Sequence, residues 1–528
     1  MNIFTNILLQ PALATPSGFS ILLAATPVLL LIVLLGVLKL HGDKSALITL
    51  LATVFIAIFA FDLSAADTGV AFLYGVVKAI FPILIIILMA IFSYNVLVST
   101  KNMEIIKEQF SSISSDKSMQ VLLLAWGFGG LLEGMAGFGT AVAIPAAILI
   151  SLGFKPVFSA VACLIANSVS TAFGAIGTPV KALAIESGFN DLHELSANIV
   201  SQLSPLMFIV PFILVVMTNP KLKALPKNFI ISIIVGSVSL GSQYMAALRI
   251  GPETPAIIGS LASIVTIIIF GKLTEHKHDE NEEQEQAKSA VVKNKYTLKQ
   301  SFAAWSVYAF ILLLVIITSP LFPSFREALQ HIATTNIPFE INGIQKIHHI
   351  SWLTDSGTLL FLGSVIGGLI QGAKIRELLS LLWRTLVLMK KTIITVSCLI
   401  GLSTIMDFSG MITVLGVALA LATGSLYPFF APTIGCLGTF LTGSDTSSNI
   451  LFGKLQTTVA DQIGAKPGWL AAANTVGATG GKIISPQSIA IATSAIGQQG
   501  KEGEILKKAL PYAIGYIIIA GFMAYYFA

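Results

Sequence analysis

Charge is what this chain has least of: 11% of its 528 residues are Asp, Glu, Lys or Arg, against about 25% in a soluble globular domain. Cysteine is scarce as well. Cys163, Cys398 and Cys436 lie in separate apolar segments without metal spacing and read as small packing residues, not a disulfide or metal set. The seven histidines fall mostly in loops, and His348-His349 has no partners at ligand spacing. There is no Gly-x4-Gly-Lys-Ser/Thr phosphate loop, which argues against ATP-driven work by this chain. The His-Glu-x-x-His zinc motif, the Gly-x-Ser-x-Gly elbow and an arginine-rich voltage-sensor helix are missing too, so nothing points to an enzyme. Apolar/polar alternation of the barrel kind is also absent. The nearly uncharged N-terminus lacks the basic start of a cleavable signal peptide, and none is expected.

What remains is apolar. The chain is 55% hydrophobic with a mean hydropathy of +0.86, and runs long enough to cross a bilayer recur along its length. The expected fold class is an all-α polytopic membrane protein of about 12 transmembrane helices, at 19–38, 45–61, 73–98, 157–180, 197–218, 229–248, 254–271, 302–320, 356–372, 386–406, 468–492 and 508–527. Two further stretches, 119–152 and 427–462, are too broken by glycine to be straight spans. Each is expected to form two half-helices meeting at a tip, a re-entrant hairpin buried in protein or lining a wet cavity. With the N-terminus outside and both hairpins re-entering, the lysine-rich connections around Lys39, Lys101, Lys117, Lys221, 272–300, Lys374 and Lys501 share one side, which is cytoplasmic. The net charge of +5 is then a topology signal, with no nucleic-acid partner implied.

The two halves echo each other. Ala166-Asn167-Ser168-Val169 precedes Pro179 as Ala473-Asn474-Thr475-Val476 precedes Pro486, at the same asparagine-to-proline spacing, and each block follows a Lys-Pro pair, Lys155-Pro156 and Lys466-Pro467. The organisation expected is a first transmembrane helix in 1–44, an inverted repeat 45–218 with its hairpin 119–152, connector helices in 219–352, and a second repeat 353–528 with its hairpin 427–462. The connector holds a solvated cytoplasmic linker, 272–300, and an external loop, 321–352. Surface helices are expected after Asn102-Met103 and Gly410-Met411. Matching broken segments in two halves of a membrane protein point to a transporter's binding site.

Four stretches could carry that site. The first tip, Glu133-Gly134-Met135-Ala136-Gly137-Phe138-Gly139-Thr140, has glycines that let the backbone approach a ligand, and a helix starting near Gly139 would aim N–H groups at an anion. Glu133 is costly at membrane depth unless protonated, paired or wet, so it is either a proton carrier or a structural acceptor. The second tip, Ser444-Asp445-Thr446-Ser447-Ser448-Asn449, clusters hydroxyls around one carboxylate; capping explains one or two of them, and a substrate or ion site explains the rest. Asn167, Ser168 and Thr171, and Asn474 and Thr475, sit in interrupted helices whose freed backbone groups suit coordination, although small residues there also suit packing. Lys482, inside the second interruption, is the strongest cation; its partner is a substrate carboxylate or a protein carboxylate such as Asp445. Lys181 is expected to snorkel, and Asp407 to end a helix.

At these motifs the chain resembles the lactate permease family: LLEGMAGFGTAVAIP (131–145), ANSVSTAFGAIGTP (166–179), FLTGSDTSSNILFGKLQ (440–456) and ANTVGATGGKIISPQSIAIA (473–492). It departs at Lys454, where the family often has a small polar residue. The resemblance implies a multi-pass carrier of the plasma (cell inner) membrane that moves L-lactate, D-lactate or glycolate with protons, built from inverted repeats as an elevator of scaffold and transport domains. The expectation is therefore a proton-coupled symporter for a small 2-hydroxy monocarboxylate. Its substrate groups would be Gly139, Thr140, Asn167, Ser168, Thr171, Ser444, Thr446, Ser447, Asn474, Thr475 and Lys482, with Glu133 or Asp445 carrying the proton. No cofactor or metal is expected beyond the proton as coupling ion. The partners are a small carboxylate and the lipid bilayer, and homo-oligomer formation stays open. The alternative is a sodium-coupled carboxylate carrier of the same architecture, since hydroxyl-rich tips also suit Na⁺.

Overall fold

A computed structural model describes residues 16–111, 116–137, 139–275 and 296–528. Most of the expected linker, 276–295, and the tip residue Phe138 lie outside the described residues. Among the described residues ten helices are long and apolar enough to cross a membrane: Gly18–Val37, Gly42–Ala60, Ala65–Ser99, Leu192–Thr218, Leu225–Arg249, Pro255–Leu273, Leu298–Ile317, Lys390–Phe408, Met411–Thr442 and Glu502–Tyr526. The bent pair Pro156–Thr171 and Gly174–Ser187, with a 50° angle between its halves, makes an eleventh.

The expected count of about 12 is therefore corrected. Ser356–Ile370 has 15 residues, or about 22 Å of helix at ~1.5 Å per residue. The expected span 468–492 is two helices, Pro467–Lys482 and Pro486–Ala495, neither long enough alone. Met411–Thr442 meets the length test only as a whole, because a 3₁₀ turn at Gly424–Leu426 divides it into Met411–Thr423 and Tyr427–Thr442. The fold is also not purely helical. The 321–352 loop holds a helix, Pro323–Ile332, and an antiparallel hairpin of Thr334–Ile341 with Ile344–Ser351. Its turn, Asn342-Gly343, has positive φ at both residues, as a two-residue hairpin turn requires.

Local chemistry explains the helix starts. Pro156, Pro467 and Pro486 each stand at the first position of a helix, where the missing N–H costs nothing. The repeated Lys-Pro pairs are thus helix beginnings. Asp191 and Thr297 cap the helices after them through side-chain oxygens. The surface helix expected after Asn102 is present as Asn102–Ser111 and buries one face through Met103, Ile106 and Phe110.

The connections around Lys101, Lys117, Lys221, 296–300 and Lys374 touch one another in pairs. Lys227 Nζ lies 2.8 Å from Asp116 Oδ2, Tyr296 donates to Glu108 at 2.6 Å, and Thr100 donates to Gln371 at 2.6 Å. The β-hairpin docks elsewhere, on the Ala65–Lys78 helix and the kink that follows it. There the Asn342 N–H donates to Asp67 at 2.9 Å, and His348 Nε2 stands 3.0 Å from the Phe81 carbonyl.

Candidate functional site

Each glycine-broken stretch folds back on itself. In the first, Lys117–Val121, Leu122–Phe128 and Gly129–Met135 form one arm and Thr140–Ser151 the other. The turn holds Gly137 (φ 62°) and Gly139 (φ 86°) in the left-handed region, which glycine enters without steric cost. In the second, Tyr427–Thr442 and Asp445–Ile463 meet at Gly443 (φ 73°), and Ser444 caps the returning helix by accepting the Ser447 N–H at 3.2 Å.

The helix interruptions lie beside these tips. Between Thr171 and Thr178 the backbone turns left-handed at Ala175 (φ 43°), Ile176 (φ 53°) and Gly177 (φ 71°). A β-branched residue in that region is strained, and such strain gathers at functional sites. The second interruption leaves Lys482 as the last residue of its helix, with Ile483-Ile484 and the capping Ser485 before Pro486. A cation at a helix C-terminus faces the negative end of the dipole.

Tips and interruptions converge on one cavity of about 750 Å³. Of the residues singled out from sequence, Glu133, Gly139, Thr171, Ser444, Asp445, Thr446, Ser447 and Lys482 line it. At its base Lys482 Nζ lies 3.0 Å from Glu133 Oε1, with the two side chains 14% and 2% exposed. This corrects the partner expected for Lys482 within the protein: it is Glu133, from the other half of the chain, and not Asp445. Gly174 makes that possible, since a Cβ there would stand 2.7 Å from Glu133 Oε1. Glu133 Oε2 and both oxygens of Asp445 are buried without a hydrogen-bond partner among the described residues. Three acceptor atoms are thus left open around one ammonium group, a costly arrangement unless a ligand or proton completes it.

Five expected residues lie off the cavity lining. Asn474 sits in a buried polar chain: it donates to Asn449 Oδ1 at 2.9 Å and accepts from Gln456 at 3.1 Å. Asn449 in turn donates to the Pro179 carbonyl at 3.0 Å, and Tyr427 to Gln456 at 2.9 Å. The chain ties the second hairpin to both interrupted helices. Asn167 bonds Thr171 within its own helix at 3.2 Å, Ser168 donates to the Ile165 carbonyl at 2.7 Å, and Thr140 to the Gly137 carbonyl at 2.8 Å. Thr475 is buried with no partner for its hydroxyl among the described residues. The glycines of the second interruption serve close packing, since a Cβ on Gly477 or Gly481 would strike the backbone of Pro432 or Cys436.

Lys78, Glu186 and Glu253 were missed from sequence. Lys78 Nζ is 2.8 Å from Glu186 Oε1, and Lys181 Nζ is 2.8 Å from Glu253 Oε1. Lys181 therefore does not snorkel; a carboxylate is within reach and holds it inside. Asp407 lies within the Lys390–Phe408 helix, 3.9 Å from Lys454. The signal for Lys78 was available, as a lone ammonium at the edge of an apolar run is a site hypothesis by default.

A family model described as L-lactate permease matches residues 20–528. The chain belongs to the L-lactate permease family. It is 40% identical over 454 residues to an L-lactate permease of Streptococcus iniae, covering 86% of this chain and 94% of that one. Identity is 35% to the glycolate permease GlcA of Escherichia coli, over 96% and 95% of the two chains. It is 32% to an L-lactate permease of Bacillus subtilis, over 96% of each. Among solved structures, Neisseria gonorrhoeae MtrF, described as illuminating a class of antimetabolite efflux pumps, aligns with a TM-score of 0.50 at 13% identity, covering 92% of this chain and 94% of its own. That likeness is one of fold. Membership in a family of permeases, with ten or more apolar helices, makes this family member a multi-pass transporter of the cell membrane and not an enzyme.

Proposed function

We propose that the protein is a proton-coupled symporter that imports a small 2-hydroxy monocarboxylate, with L-lactate as main substrate and D-lactate and glycolate as further ones. The substrate class is supported by relatives named for L-lactate and for glycolate. The observation that carries the coupling is the Lys482–Glu133 pair at the base of a cavity, beside an Asp445 with no hydrogen-bond partner among the described residues. One ammonium serves two claimants. When the substrate carboxylate takes Lys482, Glu133, 2% exposed, loses its counter-charge and binds a proton, because an uncompensated buried carboxylate is costly. Proton and anion then cross together. The returning helices that begin at Thr140 and Asp445 add N–H groups for the carboxylate, and Thr171, Thr446 and Ser447 offer hydroxyls for the substrate's own hydroxyl.

Lys39, His41 and Lys391 also line the cavity, and Lys39 belongs to the connections that the lysine distribution assigns to the cytoplasm. In this reading the carrier stands open inward, with inverted repeats forming a transport core that shifts against its scaffold as an elevator. The test is uptake of labelled L-lactate by proteoliposomes. A pH gradient, acid outside, without sodium should drive accumulation. Accumulation that follows a sodium gradient and ignores pH would replace this reading with the sodium-coupled one.

A further inference from the structure

Helix Gly174–Ser187 stands between two cavities. Its first turns, through Gly174, Ala175, Thr178 and Pro179, line the cavity of Lys482; its last turns, through Lys181, Ala184, Ile185 and Glu186, line a second one of about 860 Å³ on the side of the 321–352 loop. Among the described residues none lines both. Val180, between the two sets, is fully buried, as are Ala182 and Leu183, which line neither cavity. The helix is therefore one wall of the partition, and the Lys390–Phe408 helix, with Leu399 on one cavity and Ser403 on the other, is another.

Both ion pairs missed from sequence hold this partition at its outer end. Glu186 Oε1 meets Lys78 at 2.8 Å while its Oε2 accepts from Ser403 at 2.9 Å. Lys78 is 3.5 Å from Thr404 Oγ1. Lys181 meets Glu253 at 2.8 Å and also donates to Ser356, whose hydroxyl is 3.4 Å from Glu253. The partners come from the Ala65–Lys78 helix, the Lys390–Phe408 helix, the 250–254 turn and the start of Ser356–Ile370. None belongs to a hairpin or an interrupted helix. Two largely buried pairs on one short helix are a poor way to gain stability, since apolar packing would serve as well; what such pairs supply is one defined position that can be exchanged for another.

We propose that Lys78–Glu186 and Lys181–Glu253 are the gate that shuts the substrate cavity off from the 321–352 side, formed in the state seen here and broken when the site opens to that face. The inference rests on the transport reading but not on the identity of substrate or coupling ion, and its first test uses neither.

In a background with Cys163, Cys398 and Cys436 changed to Ala, Thr178→Cys places a thiol in the inner cavity beside the partition. A membrane-impermeant thiosulfonate is applied from the 321–352 side of oriented vesicles. Neutralising the pair with Lys78→Met or Glu186→Gln should raise the rate of labelling about tenfold, and the swap Lys78→Glu with Glu186→Lys should return it toward the parent. Unchanged labelling in both neutral variants overturns the proposal. A second arm does not depend on those variants folding well: without the reporter, Lys78→Cys with Glu186→Cys, joined by a short bifunctional thiosulfonate, should stop L-lactate exchange until reductant is added. Exchange that continues in the cross-linked protein overturns the gate. A protein that gates as described yet ignores the pH gradient would leave the gate standing and remove only the coupling.

Discussion

Two ammonium–carboxylate pairs of nearly the same length do different work in this molecule. At the outer end of the partition helix, Lys78 and Glu186 meet at 2.8 Å and each has a hydroxyl neighbour besides, Thr404 or Ser403. At the base of the inner cavity, Lys482 and Glu133 meet at 3.0 Å, but Glu133 Oε2 and both Asp445 oxygens are left over. The difference is in the surroundings and not in the pair. Both pairs face a cavity. The second oxygen of Glu186 is held by a hydroxyl, whereas that of Glu133 has no partner among the described residues and a second unpartnered carboxylate, Asp445, lines the same cavity, which leaves room for a ligand.

That contrast can be broken most directly at its cation. Lys482→Ala should reduce uptake by about 100-fold or more, since truncating the cationic partner of a bound carboxylate costs about 2–5 kcal/mol of binding, while size-exclusion chromatography shows a folded protein. Near-normal uptake would take Lys482 out of the site. Glu133→Gln should separate proton from substrate: exchange of labelled for unlabelled L-lactate persists, and accumulation driven by a pH gradient is lost. Proton-driven accumulation at the parental level would mean that Glu133 is not the carrier.

Smaller effects sharpen the line between site and support. Asn474→Ala should lower thermal stability, because Asn449 and Gln456 each lose a buried partner at about 1–3 kcal/mol per orphaned group, while the KM for L-lactate of the surviving protein changes less than twofold. A large KM increase would restore Asn474 to the binding site. The weakest effect belongs to the outer clamp. Burial acts to raise the Glu253 carboxyl, but the charge and hydrogen bond of Lys181 outweigh it and hold it below the ordinary carboxylate range. A carboxyl held low in the folded state contributes stability above its unfolded value, near the ordinary 4.5, and loses it as pH falls through the lower folded value. Melting temperature should therefore drop on acidification below about pH 4.5, and less steeply in Glu253→Gln. Equal slopes in parent and variant would remove Glu253 from the clamp.

Much of this was legible in the sequence for identifiable reasons. Glycine and proline in apolar runs mark breaks because they act through the local backbone, so both tips and both interruptions could be placed to within a few residues. Lys482 and Glu133 stood out because a charge in an apolar run is expensive wherever it sits. The asparagines misled. Their repetition suggested a binding wall, yet Asn474 spends its amide on Asn449 and Gln456, and nothing local tells an amide facing a cavity from one inside a polar chain. Lys78 and Glu186 are 108 positions apart, and nothing local to either one indicates the other.

By itself the sequence determined the class of molecule: its length, low charge and recurrent apolar runs leave a bundle of membrane helices as the structure that satisfies the backbone in lipid. It also marked where that bundle must break, since glycine, proline and capping residues act on their neighbours in the chain. Only the tertiary structure decided which charge meets which. Burial makes each pairing matter, but proximity across more than a hundred residues is a property of the packed helices, and that is why Lys482 answers to Glu133 and not to Asp445.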